Sequence, residues 1–170
     1  ELLDNDALLE LVLPKLSVVG SALNISESLQ LLTISLPLLN AVDEDLRISD
    51  NPGLTDVDVP NLERVQGDLR LRELAALQAL LLPGLTSLIG ELEVHENHAL
   101  ALLDLPLVTA LGSLSVWGNP ALPQCLLDEL AARIEVLGAT DFCDPWNATM
   151  CNLEGCVCEG GAGELQVTCP

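Results

Sequence analysis

Apolar residues return along this chain with a period of 23. Pro14, Pro37, Pro60, Pro83 and Pro106 mark the beat, and around them recurs L-x-L-x-x-N-x-x-L-x-x-L-x-L-P-x-L-x-x-V-x-G-x, with repeats opening at Leu23, Leu46, Leu69, Leu92 and Leu114. The third position holds Leu2, Ile25, Ile48, Leu71, Val94 and Val116, and the ninth holds Leu8, Leu31, Leu54, Leu77, Leu100 and Leu122. Positions one and three, and again twelve and fourteen, alternate with period two, which predicts short strands with one buried face. Proline and glycine punctuate the corners. One such unit cannot bury its own leucines. Successive turns must therefore stack, pairing their strands in parallel at about 4.8 Å. The expected fold is mainly β, a parallel β-solenoid over residues 1–122.

The sixth position is a corner and carries Asn5, Asn51, Asn97 and Asn119. An asparagine there is expected to satisfy inward-facing backbone groups that water does not reach. Ser28 and Leu74 interrupt this ladder; Leu74 makes no such bonds, so the fourth turn is expected to be locally irregular. After Leu122 the period stops, and residues 123–137 read as a helix. Pro123 suits its first turn, Asp128 and Glu129 follow, and Gly138 suits its end. Leu126, Leu130, Ile134 and Leu137 would form an apolar stripe across the open end of the core, as caps do in repeat proteins.

Residues 138–170 form a different kind of segment. All six cysteines fall after residue 124: Cys125, Cys143, Cys151, Cys156, Cys158 and Cys169. The spacings do not suit a paired C-x-x-C zinc site, and no histidine lies in the tail, so disulfides in an oxidising compartment are the reading taken. Cys125 with Cys143, Cys158 with Cys169 and Cys151 with Cys156 is one pairing; the connectivity stays open. Asn24-Ile25-Ser26 and Asn147-Ala148-Thr149 fit the N-glycosylation pattern and point the same way.

Charge changes the picture of the partners. The net charge is −20, from 26 acids against six Lys+Arg. Nucleic-acid binding needs a basic footprint, and anionic membrane surfaces need the same, so both are excluded. The chain carries no signal peptide, no 18-residue apolar span and no lipidation motif, so direct membrane insertion is not expected. Rings are scarce: no Tyr, one Phe and two Trp.

Leu46-Arg-Ile-Ser-Asp-Asn-Pro-Gly-Leu-Thr-Asp-Val and Leu114-Ser-Val-Trp-Gly-Asn-Pro-Ala-Leu resemble the receptor L domain, over roughly residues 2–137. The resemblance implies a right-handed, leucine-rich-repeat-like β-helix, found in receptor ectodomains and in fungal cell-wall and bacterial surface proteins. It implies binding of polypeptides through exposed sheet faces and no shared catalytic residue. The expected fold class is thus a right-handed parallel β-solenoid with a C-terminal capping helix and a disulfide-rich tail.

Candidate chemistry is thin. Position five of each turn is acidic, with Asp4, Glu27, Asp50, Glu73 and Glu96 in one column. Stacked like charges need cations, either neighbouring Arg47, Arg70 and Arg72 or a divalent ion such as calcium; no other cofactor is expected. Asp56, Asp58 and Asp104 point outward from the second strands and invite comparison with polysaccharide-cleaving or polysaccharide-binding β-helices, but sugar-stacking rings are few. His95-Glu96-Asn97-His98 is one residue short of H-E-x-x-H and lies on a strand, so His95 reads as a surface histidine beside Trp117. Leu3, Leu9, Leu32, Leu81 and Leu102 fall at outward positions and offer apolar surface, with Leu29 and Leu74 in corners. Glu1 sits at position two of an incomplete turn without a covering helix. Open strand edges there, with Leu165–Cys169 as a donor strand, lead to an expectation of self-association head to tail, as a homo-oligomer or filament. The chain is expected to be a secreted or cell-surface, non-catalytic protein that binds protein, another chain or itself.

Overall fold

The computed structural model describes residues 1–142, together with the strands Val157–Glu159 and Gln166–Thr168. The chain winds into a parallel β-solenoid of about six turns. Its main sheet has seven strands: Leu2–Leu3, Leu23–Ser26, Leu46–Ser49, Leu69–Arg72, Glu91–His95, Ser113–Trp117 and Thr140–Asp141. Each pairs in parallel with its counterpart one turn on, in a register offset by the repeat: Leu23 opposite Leu46, Leu46 opposite Leu69, Leu69 opposite Leu92. Smaller sheets run along the other sides, from Glu10–Val12 to Asp56–Asp58, from Ala79–Leu81 to Leu102–Asp104, and from Val18–Val19 to Ser87–Leu88.

The interior is the expected column of aliphatics. Ile25, Ile48, Leu71, Val94 and Val116 stack inside the main sheet; Ile34, Leu80 and Leu103 stack inside the second strands. The corners after the first six main-sheet strands are made the same way. Asp4, Glu27, Asp50, Glu73 and Glu96 adopt φ between 54° and 58°, and Gly118 takes the same place at 70°. This left-handed geometry costs a non-glycine residue on the order of 1 kcal/mol. The next residue satisfies the turn. Asn51 Nδ2 donates to the carbonyls of Ile25 and Ser49 (3.0 and 2.8 Å), while its Oδ1 accepts the Ser28 N–H at 3.0 Å. Asn119 repeats the arrangement, and Asn97 repeats its two bonds to the preceding turn.

The fourth turn is regular, contrary to expectation. Glu73 has φ 54°, Leu74 is fully buried, and its N–H is taken by Asn97 Oδ1 of the following turn at 3.0 Å. The corner asparagine serves the turn before its own, so turn four tolerates an apolar side chain that fills the core.

The helix is shorter than the 123–137 expected. It spans Gln124–Arg133, with Pro123 as its N-cap. Leu127 and Leu130 are buried against the last complete turn, and Ile134 follows them into the core. Arg133 holds the helix down by donating to the carbonyls of Leu105, Pro106 and Val108. Beyond it the backbone extends, because Glu135–Val136 finds an open sheet edge beside Ala110–Leu111. The bonds Glu135 N–H to Thr109 O (2.8 Å) and Leu137 N–H to Leu111 O (3.1 Å) replace helical ones. Leu137 consequently points to solvent, 73% exposed, and is no part of the buried stripe. Accommodating the helix stretches this turn: Ala110 pairs with Glu135, and Leu114 with Thr140.

Candidate functional site

Positions two and four of each turn lie on the outward face of the main sheet. Down the first column stand Asn24, Arg47, Arg70, Glu93 and Ser115; down the second stand Ser26, Ser49, Arg72, His95 and Trp117. Three of the six Lys+Arg in the chain are on this one face. The last three turns bring a connected polar cluster together there.

Glu93 is its hub. Its side chain is only 4% exposed, yet it meets Arg70 Nε at 3.2 Å, the Arg72 guanidinium, and His95 Nδ1 at 2.9 Å. The opposite ring nitrogen, His95 Nε2, lies 2.8 Å from Ser115 Oγ. His95 stacks on Trp117, with ring centroids 4.1 Å apart and planes inclined by 27°. Burial pushes the Glu93 carboxyl up, but the hydrogen bonds from His95 and Arg72 and the Arg72 charge outweigh it, and the group sits below the usual glutamate range.

Arg70 is anchored from the other side. Asp45 and Asp68 both pair with it, and each uses its remaining oxygen on the next turn's backbone: Asp45 Oδ1 accepts the Asp68 N–H at 2.9 Å, and Asp68 Oδ1 accepts the Glu91 N–H at 2.7 Å. The Asp68 N–H bond, with Arg70 beside it, holds the Asp45 carboxyl below its ordinary value. Gly90 belongs to this edge, since a Cβ there would strike Asp68 Oδ1.

The acidic column stands apart. Asp4 raises the Glu27 carboxyl and Asp50 raises that of Glu73, as like charges do. Arg70 and Arg72 do not neutralise the column as expected; they turn to Asp45, Asp68 and Glu93, which lie nearer to positions two and four. Among the described residues no group of three or more His, Cys, Asp or Glu is placed to hold a metal ion. Asp56 and Asp58 lie in turn three and Asp104 in turn five, with Ala79 and Leu81 between them; Asp58 instead accepts from Ser35 Oγ at 3.1 Å.

The remaining candidates are scattered. Leu3, Leu9, Leu32, Leu81 and Leu102 are all exposed. Leu9 and Leu32 adjoin at one corner, Leu81 and Leu102 lie on second strands, and Leu3 is on the main sheet. Asn24 is half-buried in mid-strand. Cys125 lies in the first turn of the helix. Cys158 is placed by its backbone alone, in the strand that pairs antiparallel with Gln166–Thr168. Cys143, Cys151, Cys156, Cys169, Asn147 and most of the expected donor strand lie outside the described residues. Among the described residues, no helix is long and apolar enough to cross a membrane.

Reading the sequence along the chain singled out His95 and Trp117 but missed Glu93, Ser115, Asp45 and Asp68. The signal was there: with the turns aligned, Glu93 falls directly opposite Ser115 and His95 opposite Trp117. Comparison with protein-family models, with curated proteins and with solved structures finds no match to this chain.

Proposed function

We propose that the chain is an interaction protein of the cell exterior, and that the last three turns of its main sheet face bind a protein partner. The observation that carries this reading is the row Arg72, His95 and Trp117 on three neighbouring strands. Tryptophan and arginine dominate binding energy at protein interfaces. Here a chain with two Trp in 170 residues places one of them, half-exposed, two strands from a half-exposed arginine, with His95 between them. The Glu93 bonds and the ring stacking fix both side chains before any partner arrives, which lowers the entropy cost of association. Acids flank the row on both sides, Asp68 and Glu91 on one and Glu73 and Glu96 on the other, and with a net charge of −20 they favour a partner presenting positive charge. The six cysteines and the likeness to receptor L domains support an extracellular setting.

The test is a binding screen against extracellular proteins with three immobilised forms: the wild-type chain, Trp117→Ala and Leu107→Ala, the last altering an exposed leucine off this face. A partner should be retained by wild type and Leu107→Ala, lose at least about tenfold in affinity with Trp117→Ala, and weaken as salt is raised. Partners that bind all three forms equally would place the interface elsewhere.

A further inference from the structure

We propose that Ser115 is a nucleophile, activated by His95 and oriented through Glu93, and that the chain hydrolyses acyl esters on the outward face of its main sheet. This goes beyond partner binding and against the expectation of a catalytically inert protein. Binding does not require a hydroxyl within hydrogen-bond distance of an imidazole that itself lies 2.9 Å from a buried carboxylate.

The geometry is that of an activated nucleophile: nucleophile to base, and base to orienting group, each within hydrogen-bond reach. Ser115 Oγ lies 2.8 Å from His95 Nε2, and His95 Nδ1 lies 2.9 Å from Glu93 Oε1. An ionised Glu93 only accepts, so it draws the imidazole proton to Nδ1 and leaves the Nε2 lone pair for the Ser115 O–H. Arg70, Arg72 and the bond from His95 keep Glu93 in that ionised form. Stacking on Trp117 fixes the ring plane. The three residues sit on two paired strands, with Glu93 and His95 two apart on one face and Ser115 in register with Glu93, so the backbone holds the arrangement rigidly. Ser115 is half-exposed, while His95 and Glu93 are buried. The reacting hydroxyl is therefore reachable and its support is shielded.

In the first step Ser115 Oγ bonds to the ester carbonyl carbon as its proton passes to His95 Nε2, and Glu93 stabilises the imidazolium. The tetrahedral intermediate collapses, the alkoxy group leaves as the alcohol with the His95 proton, and the acyl group remains on Ser115. Water, deprotonated by His95, then attacks the acyl carbon; the carboxylic acid departs and Ser115 recovers its proton. The sum is ester plus water giving acid plus alcohol.

The experiment uses the full chain with p-nitrophenyl acetate and with a fluorophosphonate probe, followed by peptide mass spectrometry. Ser115 should take up acyl and phosphonyl groups at least about tenfold faster than any other serine, a ratio read within the wild-type protein. Ser115→Ala and His95→Asn should each lower ester turnover above background by roughly a hundredfold, with circular dichroism unchanged. Ser113→Ala, on the same strand and face, should leave it intact. Glu93→Asp should recover more turnover than Glu93→Gln, which separates orientation by a carboxylate from mere packing. Label spread evenly over the serines, no adduct at Ser115, or full turnover in folded His95→Asn would overturn the proposal.

Discussion

The two halves of the main sheet face share a backbone and differ in chemistry. In the first half the outward residues are Asn24, Ser26, Arg47 and Ser49; in the second they are Arg70, Arg72, Glu93, His95, Ser115 and Trp117. The corners beneath are the same, with Glu27 at φ 57° in one half and Glu96 at 58° in the other. The aliphatic columns beneath are the same as well. A stacked repeat holds its interior constant because every turn must fit the next, and this leaves two outward side chains per turn free to vary. The second half uses that freedom to build a network in which Glu93 ties turns four and five together and His95 ties five to six.

The comparison yields its largest effect when the shared interior is broken. Asn97→Ala leaves the Leu74 N–H and the Leu71 carbonyl buried without their partner, and should cost about 3 kcal/mol, seen as a lower urea midpoint. The second effect separates the halves. Glu93→Leu removes the carboxylate that Arg70, Arg72 and His95 share; after discounting for half-exposed Arg72, a loss of about 2 kcal/mol is expected. Arg47→Ala, on the first half of the face, should fall within about 0.5 kcal/mol of wild type.

Acid response sharpens the same contrast. The Glu93 carboxyl is lowered in the folded state, so its contribution is complete above the unfolded glutamate value, about 4.3, and is lost as pH falls through the folded value. Glu73 runs the other way: its carboxyl is raised by Asp50, so protonation relieves repulsion and favours the fold as pH falls. The stability gap between wild type and Glu93→Gln should therefore be widest at neutral pH and narrow below about pH 4, read from urea titrations at each pH. The smallest effect is a gain. Glu73→Asn puts a residue tolerant of positive φ at a strained corner and removes one repelling charge, and should raise stability by up to about 1 kcal/mol.

The interior was legible in the sequence because a stacked turn has one solution: apolar residues at fixed positions, punctuated by proline and an αL corner. Leu74 shows the limit. It looked like a defect, yet its N–H is satisfied by Asn97 from the next turn, a bond across 23 residues that no local reading contains. The helix end was misplaced for a similar reason, since Glu135–Val136 follows an edge presented by Ala110–Leu111, and helical periodicity alone does not register that edge. The face was half legible. The repeat places Arg72, His95 and Trp117 outward, but a search for motifs along the chain compared His95 with H-E-x-x-H and passed over Glu93 and Ser115, which meet it across strands. Arg70 and Arg72 were expected to answer the position-five acids, whereas side-chain reach gives them to Asp45, Asp68 and Glu93.

The His95 imidazole links the buried carboxylate to the reachable hydroxyl. Nitrogen-15 NMR of the two histidine side chains, with His98→Asn assigning the pair, reads its tautomer directly at neutral pH. The arrangement predicts a neutral His95 ring with its proton on Nδ1 and Nε2 accepting a hydrogen bond, the Nε2 shift moving in Ser115→Ala while Nδ1 stays put. A ring protonated on Nε2, or one whose shifts ignore the loss of the Ser115 hydroxyl, would contradict it.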